Sequence, residues 1–186
     1  MIDPAKTSPK LSRADVVRLT AGKPTLVVVD MQPRFYRASR DPVTLEAVKQ
    51  EILGAKARQE PIVVLEFFLP GFTPNIERTT HEELIAALED ERNPAMWSLK
   101  FKTTVGGSNK VLAACREFGF GDTHFRICGV NTSACVFHTA LGLLNSRPNA
   151  RIEVIAAAVN DTLADDPWLN YEMVPALRVV APHQGE

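Results

Sequence analysis

Apolar residues recur along this chain in two rhythms, short unbroken runs and longer stretches in which they return every three to four positions. An unbroken run is what a strand covered on both faces requires, because alternation disappears when neither face meets water. Thr-Leu-Val-Val-Val at 25–29, ending on Asp30, is the first. Residues 61–68, 96–101, 123–129, 151–158 and 177–180 supply five more. Between them the spacing predicts a helix over 45–59. A capping box, Thr80-His81-Glu82-Glu83, opens another through Leu88, Ser108 caps one carrying Val111, Leu112 and Phe118, and Asp165-Asp166-Pro167 starts a short one. Ser12 and Asp15 open a lead-in helix within residues 1–22, closed by Gly22 and Pro24, and Pro70-Gly71 breaks the chain after the second strand.

Strand and helix alternate throughout, which predicts one domain over 1–186: a three-layer α/β/α, Rossmann-like fold with a mostly parallel six-stranded central sheet. Sheets of this kind bind ligands at the carboxyl ends of their strands. Asp30, Lys100 or Lys102, and Cys135 all fall near such ends.

The stretch 127–144 carries the sharpest chemical signal. It reads as a strand end, a short turn and a helix whose apolar face holds Phe137, Ala140, Leu141 and Leu144, with Cys135 in the first helical turn. Unpaired amides and the positive end of the helix dipole would lower a thiol's pKa there, so a thiolate is expected at Cys135. Cys115 and Cys128 read as buried packing.

Composition narrows the partners. A formal net charge of -1 offers no electrostatic case for nucleic acid or an anionic membrane. The N-terminus lacks the apolar core of a signal peptide and no apolar run approaches a membrane span, so a cytoplasmic protein is expected. Three cysteines without metal-type spacing argue for reduced thiols. His81 and His138 have no partner at ligand spacing, so neither a metal nor a cofactor is expected, and the expected partner is a small molecule. Phe35, Phe68, Trp97 and Phe137 are aromatic residues near the strand ends, read as core ahead of pocket lining.

Val-Val-Val-Asp-Met-Gln-Pro-Arg-Phe at 27–35, a lysine after the third strand, Gly-Val-Asn-Thr-Ser-Ala-Cys-Val at 129–136 and Asn160-Asp161 after the fifth strand, in that order, resemble the isochorismatase-like cysteine hydrolase family. The resemblance implies a catalytic triad of Asp30, Lys102 and Cys135, with Lys100 as the alternative lysine. It also implies a cis peptide between Val130 and Asn131, an oxyanion hole built from the amides of Asn131 and Cys135, and a homo-oligomer. Nicotinamidases of this superfamily carry an Asp-x-His metal motif after the second strand. Here that position reads Glu66-Phe67-Phe68-Leu69-Pro70, so the resemblance implies no metal.

The expected activity is hydrolysis of a C–N bond in a small amide, ureide or carbamoyl compound through a thioester-like intermediate, with isochorismatase-type vinyl-ether hydrolysis as the alternative. Two other classes suit a doubly wound sheet: a nucleotide-binding or phosphoacceptor domain, and a family member serving in assembly with little turnover. Against the former, no Gly-x-Gly-x-x-Gly follows the first strand and the acidic pair of a magnesium site is missing.

Overall fold

The computed structural model describes residues 12–68, 79–89 and 96–181. In it the strands β1 (Thr25–Val29), β2 (Ile62–Phe67), β3 (Trp97–Lys102), β4 (His124–Val130), β5 (Arg151–Asn160) and β6 (Leu177–Val180) form a six-stranded sheet. Its order is β3-β2-β1-β4-β5-β6 and every pairing is parallel. The helices are α1 (Arg13–Thr20), α2 (Tyr36–Ser39), α3 (Pro42–Ala57), α4 (Glu82–Glu89), α5 (Ser108–Phe118), α6 (Phe137–Ser146) and α7 (Leu169–Glu172), and a π-helical turn, Thr132–Val136, joins β4 to α6.

β1 shows why the unbroken runs become central strands. All five of its residues are fully buried, yet successive side chains enter different cores. Val27 and Val29 pack with Val63, Leu65, Val111, Ala114, Ala140 and Leu143, under α5 and α6. Leu26 and Val28 pack with Ile62, Val64, Val48, Ile52, Leu84 and Leu88, under α3 and α4. Each such aliphatic side chain contributes roughly 1.5–3 kcal/mol when fully withdrawn from water, so the two-sided sheet is the main source of stability.

From β1 the chain winds outward through β2 and β3, then crosses back to place β4 on the other side of β1. Connections that leave two neighbouring parallel strands in opposite directions open a crevice at their carboxyl ends. Asp30 follows β1 and the π-helical turn follows β4, so both expected site segments border that crevice.

Several boundaries differ from the sequence pattern. α3 begins at Pro42 because Asp41 caps it, its carboxylate accepting the Thr44 amide at 2.9 Å, and it ends at Ala57. α2 is a single turn too short for periodicity to reveal. β5 runs on to Asn160, with a register shift against β4. Asp165-Asp166-Pro167 precedes α7 without starting it: Asp166 Oδ1 accepts the Trp168 amide at 3.0 Å, closing a turn first. Pro70-Gly71 lies outside the described residues. On α6, Phe137, Ala140 and Leu143 are the buried face, while Leu141 and Leu144 are partly exposed. Among the described residues, no helix is long and apolar enough to cross a membrane.

Candidate active site

β1 ends against β4 so closely that position 129 must be glycine. Gly129 has φ of 117°, and a Cβ there would collide with the Val29 backbone. Asp30, immediately after β1, adopts φ of 54°, a left-handed conformation that costs a non-glycine residue about 1 kcal/mol or more. Its amide is tied to the Leu65 carbonyl at 2.9 Å, and its own carbonyl accepts from Gln32 at 2.7 Å. The backbone thus holds the carboxylate where the two strands part.

That carboxylate is completely buried. Lys102 Nζ, itself 1% exposed, lies 2.7 Å from Asp30 Oδ2 as an ion pair, although neither carboxylate oxygen has an aligned hydrogen bond. The ammonium is held by the Thr104 and Val105 carbonyls at 3.2 and 3.0 Å and lies over the Phe67 ring at 4.8 Å. Gly107 lets the loop close here, since a Cβ would clash with Leu65 and sit 3.0 Å from Lys102 Cδ. Lys100 points elsewhere and pairs with Glu117 at 2.6 Å on the surface. Residues two apart on an ideal strand share a face, so alternation does not separate the two lysines; the strand ends at Lys102, whose side chain is drawn to the loop carbonyls of Thr104 and Val105.

Cys135 belongs to the π-helical turn, ahead of α6 and not within its first turn as expected. Its thiol interacts with both Asp30 and Lys102. The expected lowering of its pKa is reversed: burial, then the nearby Asp30 carboxylate, push the thiol up to about 12 against the opposing pull of Lys102. At 7% exposure the cost of placing a charge in a dry site exceeds what helix amides return. Burial also raises Asp30, offset first by Lys102. At rest the site therefore holds a thiol beside an ion-paired carboxylate.

The turn is braced from three sides. Thr139 Oγ1 donates to the Cys135 carbonyl at 2.7 Å and accepts the Gly107 amide at 3.0 Å. The Tyr171 hydroxyl donates to the Thr132 carbonyl at 2.9 Å. Asp161 accepts the Ser133 amide, and its other oxygen accepts those of Leu163 and Ala164 at 2.6 and 3.3 Å. The Val130–Asn131 peptide is cis. Asn131, Ala134 and Cys135 line an open cleft of about 440 Å³ together with Arg34, Phe35 and Phe67. Of the aromatic residues expected near the strand ends, only Phe35 lines it. Trp97 and Phe137 are buried, Phe137 against Tyr171, and Phe68 packs on Phe101.

Two further features border the expected site residues. Glu66, 2% exposed on β2, accepts the Thr80 amide and hydroxyl at 2.6 and 2.9 Å, and burial, with a smaller push from Asp30, raises it to about 7. A glutamate inside the apolar run 62–67 was its signal. The other is the pair Arg34 and Arg37, on the loop and short helix after β1, which line the cleft. His81 contacts Ser39 at 3.1 Å and is held down by burial, and His138 is exposed. Among the described residues, no group of three His, Cys, Asp or Glu side chains is placed to hold a metal ion.

No protein-family model matches the chain, and no curated protein matches it by sequence. Solved structures do. N-carbamoylsarcosine amidase from Thermoplasma acidophilum superposes with a TM-score of 0.70 at 21% identity, over 88% of this chain and 99% of that one. The nicotinamidase SaPncA from Staphylococcus aureus gives 0.67 at 20% identity, over 86% and 98%. The MAR1 ribonuclease from Caenorhabditis elegans gives 0.64 at 18%, over 84% and 75%. Two amidases and a ribonuclease on one scaffold are a reminder that activity resides in the site and not in the fold. At the level of architecture, this chain has the three-layer α/β fold of these structures.

Proposed function

We infer that this protein is a cysteine hydrolase that cleaves a C–N bond of a small amide, ureide or carbamoyl compound, with Cys135 as nucleophile, Asp30 as proton carrier and Lys102 as its charge partner. The observation that supports this reading is the meeting of a buried carboxylate, a buried ammonium and a thiol at the edge of an open cleft, with the carboxylate left without an aligned hydrogen bond. A buried charge with spare acceptor capacity is costly in a purely structural role.

The chemistry follows from the resting protonation. The Cys135 proton passes to Asp30 as sulfur attacks the carbonyl carbon, so no free thiolate is needed beforehand. The carbonyl electron pair moves onto oxygen, and main-chain amides of Asn131 and Cys135 are the donors assigned to that oxyanion. Collapse expels the amine, which takes its proton from Asp30 and leaves an acyl-thioester. Water then gives a proton to Asp30 and attacks; the thioester C–S bond breaks and the proton returns to sulfur. Lys102 keeps Asp30 able to alternate between states by opposing the effect of burial.

The test is a panel of primary amides, ureides and carbamoyl amino acids with purified protein and the variants Cys135→Ala and Asp30→Asn. Each substitution should lower kcat/KM by about 10³-fold or more, and acid-quenched mass spectra of the unsubstituted protein should carry an acyl adduct on Cys135. Turnover that survives both substitutions would overturn the mechanism.

A further inference from the structure

Lys102 and Cys135 come to the site on separate segments. The lysine ends β3, with the loop 103–107 behind it, and the thiol sits on the turn Thr132–Val136 that leads into α6. An ammonium has three N–H bonds to give. Two of the groups that hold this one, the Thr104 and Val105 carbonyls, belong to the loop itself, so the place of the ammonium follows the place of the loop.

The loop is seated on α6 along a narrow seam. The Gly107 amide donates to Thr139 Oγ1 at 3.0 Å, and the same hydroxyl donates to the Cys135 carbonyl at 2.7 Å. A Cβ on Gly106 would come within 3.1 Å of the His138 carbonyl oxygen, and one on Gly142 would overlap the Ser108 side chain, so the backbones of loop and helix approach where no side chain intervenes. A hydroxyl bonded to the carbonyl four residues back is ordinary on a helix and would mean only that a buried group is satisfied. The bond from Gly107 is different. It crosses between elements, and it comes from the capping residue of α5, whose amide has no acceptor within its own helix. Thr139 is fully buried, which shields both bonds from competing water.

We propose that Thr139 is a positioning residue: its hydroxyl latches the loop that cradles Lys102 to the turn that carries Cys135, and so fixes where the ammonium stands relative to the thiol and to Asp30. This rests on the hydrolase reading for the reaction that the latch serves. Thr139 lies behind the cleft wall and does not line it, so its loss reaches the reaction through Lys102 and Cys135, not through contact with substrate. A displacement of about 1 Å at a reacting group is enough to cost about 10²-fold in rate.

Thr139→Val keeps the shape of the side chain and removes both bonds, whereas Thr139→Ser keeps the hydroxyl. On the best substrate of the amide and carbamoyl panel, Thr139→Val should lower kcat per folded molecule by about thirtyfold or more with KM within about threefold, and Thr139→Ser should stay within about threefold of the parent in kcat. Combined with Lys102→Ala, Thr139→Val should lower kcat by less than about threefold further, because the group through which it acts is gone. Should Thr139→Val not fold, Gly142→Ala decides: it keeps the hydroxyl, pushes Ser108 off α6, and should lower kcat by about threefold or more at constant KM.

The proton–nitrogen correlation signal of the Lys102 ammonium, assigned by its loss in Lys102→Ala, reads the latch with no substrate present. It should be visible in the parent and in Thr139→Ser and weaken or vanish in Thr139→Val, as a loosened cradle admits exchanging water. That pattern in a protein that turns over no member of the panel would sustain the latch and defeat the hydrolase reading. A parent-like kcat in folded Thr139→Val or in Gly142→Ala, a loss that Thr139→Ser does not recover, full additivity with Lys102→Ala, or an ammonium signal that is absent from the parent or indifferent to the hydroxyl would overturn the inference. Turnover with an acyl adduct on Cys135 would leave the hydrolase reading standing in each of those cases.

Discussion

The two ends of the sheet both bury charge, and they do so for opposite purposes. Toward the amino ends of the strands, Arg126 on β4 lies 2.9 Å from Glu51 of α3 and 3.9 Å from Glu60, and Arg58 grips Glu60 with two bonds of 2.7 and 2.9 Å. Nearby, Glu153 accepts from His124 at 2.8 Å and from Arg151 Nε at 2.7 Å. At the carboxyl end, Asp30 has one ion-pair partner and no aligned hydrogen bond, beside a thiol and an open cleft. The first arrangement gives each charge an opposite charge within the fold, although Arg126 Nη1 too is buried without a hydrogen bond. The second leaves acceptor capacity over, which suits a group that must take and return a proton.

The comparison is broken most forcefully by removing one cation from each end. Lys102→Ala should reduce turnover by about 10³-fold or more, since Asp30 would be left buried without its counter-charge and would hold a proton of its own. Arg126→Met should cost roughly 3–5 kcal/mol in urea unfolding, because Glu51 and Glu60 lose a buried partner, while the folded fraction keeps its KM. If Arg126→Met instead abolished turnover without loss of stability, the division between the two ends would fail.

Glu66 sharpens the comparison from the carboxyl end of β2. Burial raises its pKa from the ordinary 4.5 to about 7. The folded state thus holds this proton more tightly than the unfolded chain, so stability falls as pH rises from about 4.5 to about 7 and is flat beyond. The loss amounts to roughly 3 kcal/mol. Glu66→Gln keeps an acceptor for Thr80 and removes the ionisation. Denaturant titrations at pH 5 and pH 8 should then differ by less than for the parent, and an unchanged difference would show that Glu66 does not titrate in that window.

The smallest effect belongs to Lys100. Its pair with Glu117 is half in water, so Lys100→Gln should change stability by less than about 1 kcal/mol and leave turnover alone. Loss of activity in this variant would mean that the lysine next to Asp30 is not the one that matters.

Much of the architecture was legible along the chain. The run Thr-Leu-Val-Val-Val could only be a strand covered on both faces, and β6 matches its predicted bounds, because local apolar pattern and turn residues decide such elements. The short turn α2 and the start of α7 were not, since each depends on one hydrogen bond or cap. Positions in the site divide the same way. Asp30 and Cys135 stood out because each follows a strand next to a recognisable motif, whereas Glu66 looked like an oddity within an apolar run.

What the sequence determined by itself, then, is the alternation of strand and helix, the two-faced burial of the central strands and the motif at 129–136, all properties of neighbours in the chain. Only the tertiary structure decided which lysine meets Asp30, that Arg34 and Arg37 line the cleft, and that burial pushes the Cys135 thiol up. Those depend on distances between residues far apart in sequence and on how completely water is removed around them, and neither quantity is written in local pattern. Asp161 makes the point in one residue: in the sequence it counts only as part of the Asn160-Asp161 pair after the fifth strand, without a task, and only packing brings it under the Ser133 amide to hold the turn that carries the thiol.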